Sequence, residues 1–381
     1  MKFIFVESFR LNWNGYTARF KNGISGTHNT IMYLAEALAK LDHDVTVINT
    51  AYITRHIPKY NSILNKIHYL KHIIPETYNN VKYTNYDEFT TTDCDYIITT
   101  YNTDDLEILK KINNYKKIIV IMNNPLYGNN MNKFQSLDKT NILIAFISNY
   151  SKDNILLNNN QFLKEYQHIL LHNSIDNNDI KPIVEKENSF IFFACVDRGF
   201  KMSNEIIKIF DNTSKFKIYT NTYADISKSL LNIYNNIITP DTSKNTIFEY
   251  CAKSKYFLYP LIDLDTNNIH CDTFAYVVLE ALLHGVVVIA PKLELFVELY
   301  GDAVCYVDSK SILKEEDLKY TNFIMNNKNF GYPLLNKYVE KLNLLESNNE
   351  LYNSYVTKGL LLKEKFSNIN IVKYLLDKLN G

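Results

Sequence analysis

Residues 270–298 read HCDTFAYVVLEALLHGVVVIAPKLELFVE. Asp272 and Glu280 stand eight positions apart, a glycine at 285 closes a run of helix-forming residues, and the apolar segment VVVIA follows at 286–290. The pattern predicts a loop, a helix starting between 273 and 275, a glycine stop and a buried strand. It puts the first carboxylate in the loop, the backbone amides of Phe274 and Ala275 at the helix start, and the second carboxylate two turns in. Amides at a helix start have no intrahelical acceptor and bind phosphate or sugar oxygens. A carboxylate on the first turns can accept two hydrogen bonds from ribose hydroxyls. Two acids eight apart are common; the loop, helix, glycine and strand around them make the pair specific.

Outward from this stretch, β-rich apolar runs recur at 190–196, 216–220, 256–259, 286–290 and 303–307, separated by helical or loop segments. An earlier series lies at 3–6, 45–48, 96–99, 118–122, 142–147 and 168–171. Such alternation predicts two parallel α/β sheets. Between the first two runs, Ile31, Leu34, Ala35 and Leu38 fall at i, i+3, i+4 and i+7, one apolar helix face able to cover a sheet. The polar segment NSIDNNDIKPIVEKENS at 173–189 separates the series and reads as a linker, with the boundary at 181–186. After Pro333 the chain reads as helical to its end.

A length of 381 residues is more than one hydrophobic core usually serves, in keeping with two domains. Lysine plus arginine and aspartate plus glutamate both number 41, so no overall field draws the chain to nucleic acid. The five cysteines, Cys94, Cys195, Cys251, Cys271 and Cys305, form no Cys-x-x-Cys pair, which argues against a disulfide framework or a structural zinc site. No apolar run approaches the ~18 residues of a membrane span, and the N-terminus lacks a signal-peptide core, so a cytoplasmic location is expected.

The 272–298 stretch resembles the donor-binding signature of glycosyltransferase family 4. Four further segments agree with that family in order and spacing: NGISGTHNTIMYLAEALAKLDHDVTVI (22–48), FISNYSKDNI (146–155), LLHNSID (170–176) and FACVDRGF (193–200). The resemblance implies the GT-B fold, two Rossmann-like parallel-sheet domains facing a cleft, with C-terminal helices packing back on the first. The corresponding domains are 1–182 for the acceptor, 183–355 for the nucleotide-sugar donor, and a returning helix at 356–381.

It also implies roles. Glu280 would hold the donor ribose, Asp272 would contact the transferred sugar, and Arg198 would neutralise the leaving diphosphate, assisted by Lys201 and the Phe274 and Ala275 amides. A guanidinium suits that task because it makes two directed bonds and keeps its proton. The competing role for Arg198 is a surface ion pair with Asp197 or Glu205; for Glu280 it is a solvated helix position. This sequence has Asp272 where the family usually has Glu, Phe193 where it commonly has a base, and Asn123 where many members place a His facing the donor sugar. An amide there can bind a hydroxyl but carries no proton at neutral pH.

Three of only ten glycines, Gly15, Gly23 and Gly26, fall before the predicted first helix, which suggests close backbone approach to a ligand; the other reading is a surface loop. His28 could face the acceptor or the donor phosphates, or be a cap or surface residue. A dinucleotide fingerprint, a phosphate loop, a nucleophile elbow and a His-Glu-x-x-His helix are all absent. His270 and Cys271 lack further ligands at metal spacing.

The sequence therefore predicts a retaining, metal-independent glycosyltransferase without a cofactor. It would move a sugar from a nucleotide-sugar, UDP-sugar favoured over GDP-sugar, to a glycan or other hydroxyl acceptor. No nucleic-acid partner is expected, and peripheral membrane contact is left open. The alternative is an inactive nucleotide-sugar-binding or scaffold protein of the same fold.

Overall fold

The computed structural model describes residues 1–7, 13–20, 26–49, 77–84, 89–90, 93–100, 103–126, 129–135, 137–157, 160–195, 198–210, 215–220, 238–240, 243–263, 268–269, 272–308 and 331–380. The chain divides into one unit of Met1–Asp176 with Phe366–Gly381, and a second of Asn177–Lys365.

In the first unit, β1 (Lys2–Glu7), β2 (Asp44–Asn49), β3 (Thr77–Tyr78), β4 (Val81–Thr84), β5 (Tyr96–Thr100), β6 (Lys117–Met122), β7 (Ile142–Phe146) and β8 (Gln167–Leu170) form one sheet. Its order is β3-β4-β2-β1-β5-β6-β7-β8, parallel except for the β3–β4 pair. Phe3–Val6, Ile118–Met122 and Ile142–Phe146 are buried at every position. That is the pattern of strands covered on both faces, and explains why the sequence shows continuous apolar runs rather than alternation. Ile4, Val6, Ile97, Ile118, Val120, Ile144 and Phe146 share one core. Ile31, Leu34, Ala35 and Leu38 are buried on α2 (Gly26–Lys40), as their spacing predicts.

A short helix that the sequence reading did not foresee, α1 (Gly15–Phe20), precedes it. Arg19 of α1 makes two hydrogen bonds to Glu36 of α2, at 2.8 and 2.9 Å, and Asn79 Nδ2 donates to the same carboxylate at 3.0 Å. This tether corrects the view that Gly15 lies in an open loop before the first helix. A Cβ on Gly15 would come within 2.2 Å of Glu36 Oε1 and 2.6 Å of the Tyr78 ring, so packing against protein accounts for that glycine. Gly26 is exposed at the first position of α2. Gly23 lies outside the described residues.

The unit continues through α3 (Asn129–Gln135) and α4 (Asn149–Leu157).

In the second unit, β9 (Glu187–Phe192), β10 (Lys215–Thr220), β11 (Ile238–Pro240), β12 (Ser254–Leu258), β15 (Val287–Pro291) and β16 (Cys305–Val307) form an all-parallel sheet, with β13 (Ile262–Asp263) and β14 (Asn268–Ile269) a separate hairpin. The order β11-β10-β9-β12-β15-β16 is the 3-2-1-4-5-6 arrangement of a doubly wound fold. Its helices are α5 (Phe200–Phe210), α6 (Lys244–Lys253), α7 (Tyr276–Leu283), α8 (Glu294–Tyr300), α9 (Gly331–Ser347) and α10 (Asn349–Lys365). Phe190, Met202, Ile206, Tyr256, Val287, Ile289, Leu334 and Tyr338 form its core.

Local bonds explain where the units divide. Ile175 donates its N–H to Phe366 and accepts from Asn368, and Asp176 pairs with Lys40, so 175–176 belong to the first unit. From Lys181 onward the chain is tied to the second: Lys181 N–H donates to His284 Nε2, and the Lys186 ammonium donates to the carbonyls of Cys251 and His284. The segment at 181–186 is thus integral to the second unit rather than a loose linker, and the division falls after Asp176. At the other end, residue 356 lies inside α10, which packs on α7 where Gly359 meets the Leu282 carbonyl. Only α11 (Asn368–Asn380) belongs to the first unit, against α2.

Candidate functional site

Doubly wound sheets bind ligands beyond the carboxyl ends of their strands, where the strand order reverses. In the second unit that point lies between β9 and β12. Arg198 stands in the loop after β9, and Tyr259 follows β12 directly. Between them sits Asp272, whose Oδ1 lies 3.0 Å from Arg198 Nη1 and whose Oδ2 accepts a hydrogen bond from the Tyr259 hydroxyl. Burial and the Asp272 charge push the Tyr259 phenol well above its usual range, so it stays a donor. Arg198 thus pairs with Asp272, a partner the sequence reading does not name; of the competing surface partners, Glu205 pairs with Lys208 and Asp197 lies outside the described residues.

The Arg198 loop is held by its backbone. Arg198 N–H donates to the Cys195 carbonyl, and Leu261 N–H donates to the Arg198 carbonyl. Gly199 has φ +103, and a Cβ there would sit 2.5 Å from Pro260 Cγ and 3.1 Å from Leu261 N. Gly199→Ala is therefore expected to destabilise the protein by about 1–3 kcal/mol, through backbone strain and overlap together. Urea denaturation checks this; a wild-type midpoint would contradict it. Lys201, in the first turn of α5, is half-buried. Phe193, where the resembled family commonly has a base, stacks on Phe257 at 5.1 Å as part of the core.

The helix after Asp272 starts later than the sequence suggests. Ala275 has φ +56 and is the N-cap of α7, so the first helical amides are those of Tyr276 and Val277, not Phe274 and Ala275. A left-handed residue cannot continue a right-handed helix, and nothing in an alanine announces it. The Phe274 side chain is buried against Tyr276 and Tyr300, and the Tyr300 hydroxyl donates to the Phe274 and Ala275 carbonyls at 2.5 and 3.1 Å.

Glu280, on α7, is 5% exposed, which overturns the solvated-position alternative. Its Oε1 lies 2.6 Å from Nζ of Lys244, the first residue of α6. Sequence reasoning missed both Lys244 and Tyr259. The tyrosine reads as the end of an apolar strand, and the lysine as one more charge after a helix-capping serine.

In the first unit the corresponding reversal lies between β1 and β5. Glu7 ends β1 and His28 stands in the first turn of α2; both are 1% exposed, with Nε2 of His28 3.1 Å from Oε2 of Glu7. Trp13 Nε1 donates to the same oxygen at 3.4 Å and meets the imidazole edge-on. His28 is neither a cap nor a surface residue. Asn123, just beyond β6, is buried, and among the described residues neither atom of its amide finds a hydrogen-bond partner. His270 and Cys271 lie outside the described residues. No helix among the described residues is long and apolar enough to cross a membrane.

No family model matches the sequence, and no curated protein matches it. Solved structures do. Sucrose-phosphate synthase from Thermosynechococcus elongatus superposes with a TM-score of 0.61 at 9% identity, over 100% of this chain and 98% of that one. A glycosyltransferase from Rickettsia africae gives 0.60 at 12% identity, over 99% and 97%. Anabaena Alr3699/HepE, solved with UDP and glucose, gives 0.59 at 11% identity, over 100% and 99%. With two Rossmann-like sheets and structural neighbours of this kind, the chain has the GT-B fold.

Proposed function

We propose that the protein is a retaining glycosyltransferase that moves a sugar from a nucleotide-sugar, a UDP-sugar before a GDP-sugar, to a hydroxyl of a glycan or other acceptor, with no metal in the step. The observation that carries this reading is the convergence of Arg198, Asp272 and Tyr259 at the strand-order reversal of the second unit, with Glu280 on the helix that follows Asp272. UDP is favoured because HepE and S. aureus TarM, both similar in fold, were solved with it.

In this mechanism Glu280 accepts the ribose hydroxyls, and Arg198 meets the diphosphate. A guanidinium has five N–H donors, so Nη1 can stay on Asp272 while others turn to phosphate oxygens. The bond from the anomeric carbon to the phosphate oxygen breaks, and the acceptor oxygen bonds to the same face of that carbon. The acceptor proton passes to the leaving diphosphate oxygen. Such a step needs no protein base, and its rate comes from positioning and charge stabilisation by Arg198 and the amides of Tyr276 and Val277.

A thermal-shift screen with UDP, GDP and ADP tests the donor site. A nucleotide at ~100 times its dissociation constant adds about 2.7 kcal/mol, and Glu280→Ala is expected to abolish that shift. Equal shifts in wild type and variant would remove Glu280 from the site. The second reading, a binding protein without turnover, is motivated by Asp272 standing where the resembled family usually has Glu and by Phe193, packed on Phe257, where it commonly has a base. Binding without donor hydrolysis or transfer would establish it.

A further inference from the structure

A carboxylate that accepts hydroxyl hydrogen bonds on both oxygens has to be ionised. Glu280 sits where ionisation is disfavoured: burial pushes its carboxyl above the usual range, and Asp179 adds to the push. Lys244 acts in the opposite direction, through its charge and its contact with Oε1. Its own position is unfavourable for a lysine. It occupies the first residue of α6, where the helix dipole repels a cation. Its side chain is 6% exposed, with Nζ 5.3 and 5.8 Å from the ring centres of Phe248 and Tyr276. Neither the helix nor the burial calls for a lysine here; the two rings attract an ammonium weakly, and Glu280 supplies its counter-charge.

We propose that Lys244 is a positioning residue of the nucleotide site: it keeps the buried Glu280 carboxylate ionised and aimed, so that this acid can take the two ribose hydroxyls of a nucleoside diphosphate. The proposal rests on the donor-site reading above. Lys244 acts through Glu280 and need not touch the nucleotide.

Of six further groups around Glu280, the four with shifted protonation keep one form across a useful pH window. On α6, the Cys251 thiol is pushed far up by burial and stays neutral. At the end of α7, burial takes the His284 imidazole down to about 4; its Nδ1 donates to the Glu280 carbonyl at 2.6 Å while Nε2 accepts from Lys181. On α8, the buried Tyr300 phenol is pushed up and stays neutral. In the segment leading to β9, Lys186 is brought down to about 8 by burial. Asp179 and Lys181 complete the set. Between the His284 and Lys186 values the nucleotide's terminal phosphate itself titrates, at about pH 6, but it does so for every variant alike, so a difference in pH profile between variants reports on Glu280.

The sign follows from the acid. Protonated Glu280 loses an acceptor, so affinity falls as pH drops through its pKa, and removing Lys244 moves that fall upward. The test measures UDP and GDP binding by titration calorimetry from about pH 5 to about pH 7.5, in wild type, Lys244→Met, Lys244→Arg and Glu280→Gln. Lys244→Arg should follow the wild-type pH profile within about threefold because the charge is kept. From the higher pH to the lower, Lys244→Met should lose at least about tenfold more affinity than wild type does, and Glu280→Gln should bind weakly at both. Carbon-13 carboxyl NMR follows Glu280 without nucleotide, its signal being the one lost in Glu280→Gln; it should titrate at higher pH in Lys244→Met. Lys244→Met/Glu280→Gln, which carries no buried charge at the pair, checks that the site still folds, and Lys244→Gln replaces Lys244→Met if the latter does not. A wild-type affinity and pH profile in Lys244→Met, or an unmoved Glu280 titration, overturns the proposal while leaving the donor site intact. If the titration moves but wild type binds neither nucleotide, the donor reading fails, and the ribose role of the pair with it.

Discussion

Replacing Arg198 by alanine is expected to lower kcat by about 10²–10³-fold with a smaller change in donor KM, the effect of removing one donor aimed at developing charge. Arg198 stands at the strand-order reversal, is held by backbone bonds to Cys195 and Leu261, and is tethered to Asp272, so its guanidinium is pre-set rather than recruited. Arg198→Lys should recover only part of the loss, because an ammonium supplies charge without the planar fork that spans Asp272 and a phosphate. Steady-state kinetics with the preferred donor measures both. Turnover undiminished in Arg198→Ala would remove diphosphate stabilisation by this residue from the mechanism.

The largest stability effect is expected in the first unit. Glu36 is fully buried and accepts two hydrogen bonds from Arg19 and one from Asn79. Glu36→Leu leaves the Arg19 guanidinium, 7% exposed, without that carboxylate, at a cost of about 3–5 kcal/mol. Arg19→Met/Glu36→Leu, which removes both charges, should recover most of it, since a buried pair contributes little net stability relative to apolar replacements of similar size. Chemical denaturation of the two single variants and the double gives the coupling directly; additive losses would show that the pair is not a unit.

What the sequence makes legible follows from what each feature depends on. The central strands of both sheets are readable because burial on both faces requires unbroken apolar runs, and Ile118–Met122 and Val287–Pro291 are such runs. Helix α2 is readable from Ile31, Leu34, Ala35 and Leu38 because one face carries its packing. By contrast, α1 is six residues held by an ion pair to a distant helix, and β3 and β4 are two and four residues of largely polar sequence. Only β4 shows a period, with Val81 and Tyr83 inward, and four residues are too few to tell it from a loop.

The site divides in the same way. Asp272, Glu280 and Arg198 are marked by residue type within a spaced motif, and the structure brings Asp272 and Arg198 into contact. Their partners Tyr259 and Lys244 come from other elements, and only the fold makes them neighbours. The start of α7 was misplaced because the left-handed backbone at Ala275 leaves no trace in an alanine. The division falls after Asp176, six residues before position 182, where the polar segment places the end of the first domain, since Lys181 and Lys186 are anchored to His284, a contact invisible in composition.

On the proposed function, the second unit binds a nucleotide-sugar and the sugar leaves it with the anomeric configuration kept. Proton NMR of the reaction with UDP-α-glucose and UDP-α-N-acetylglucosamine, in the presence of a panel of simple glycoside acceptors, tests this most directly. Release of UDP together with an α-linked product is expected of the wild-type protein, and much less of both in Arg198→Ala. A β-linked product would contradict the same-face mechanism, and no turnover of either donor, in a protein that is nonetheless stabilised by UDP, would favour a binding protein over an enzyme.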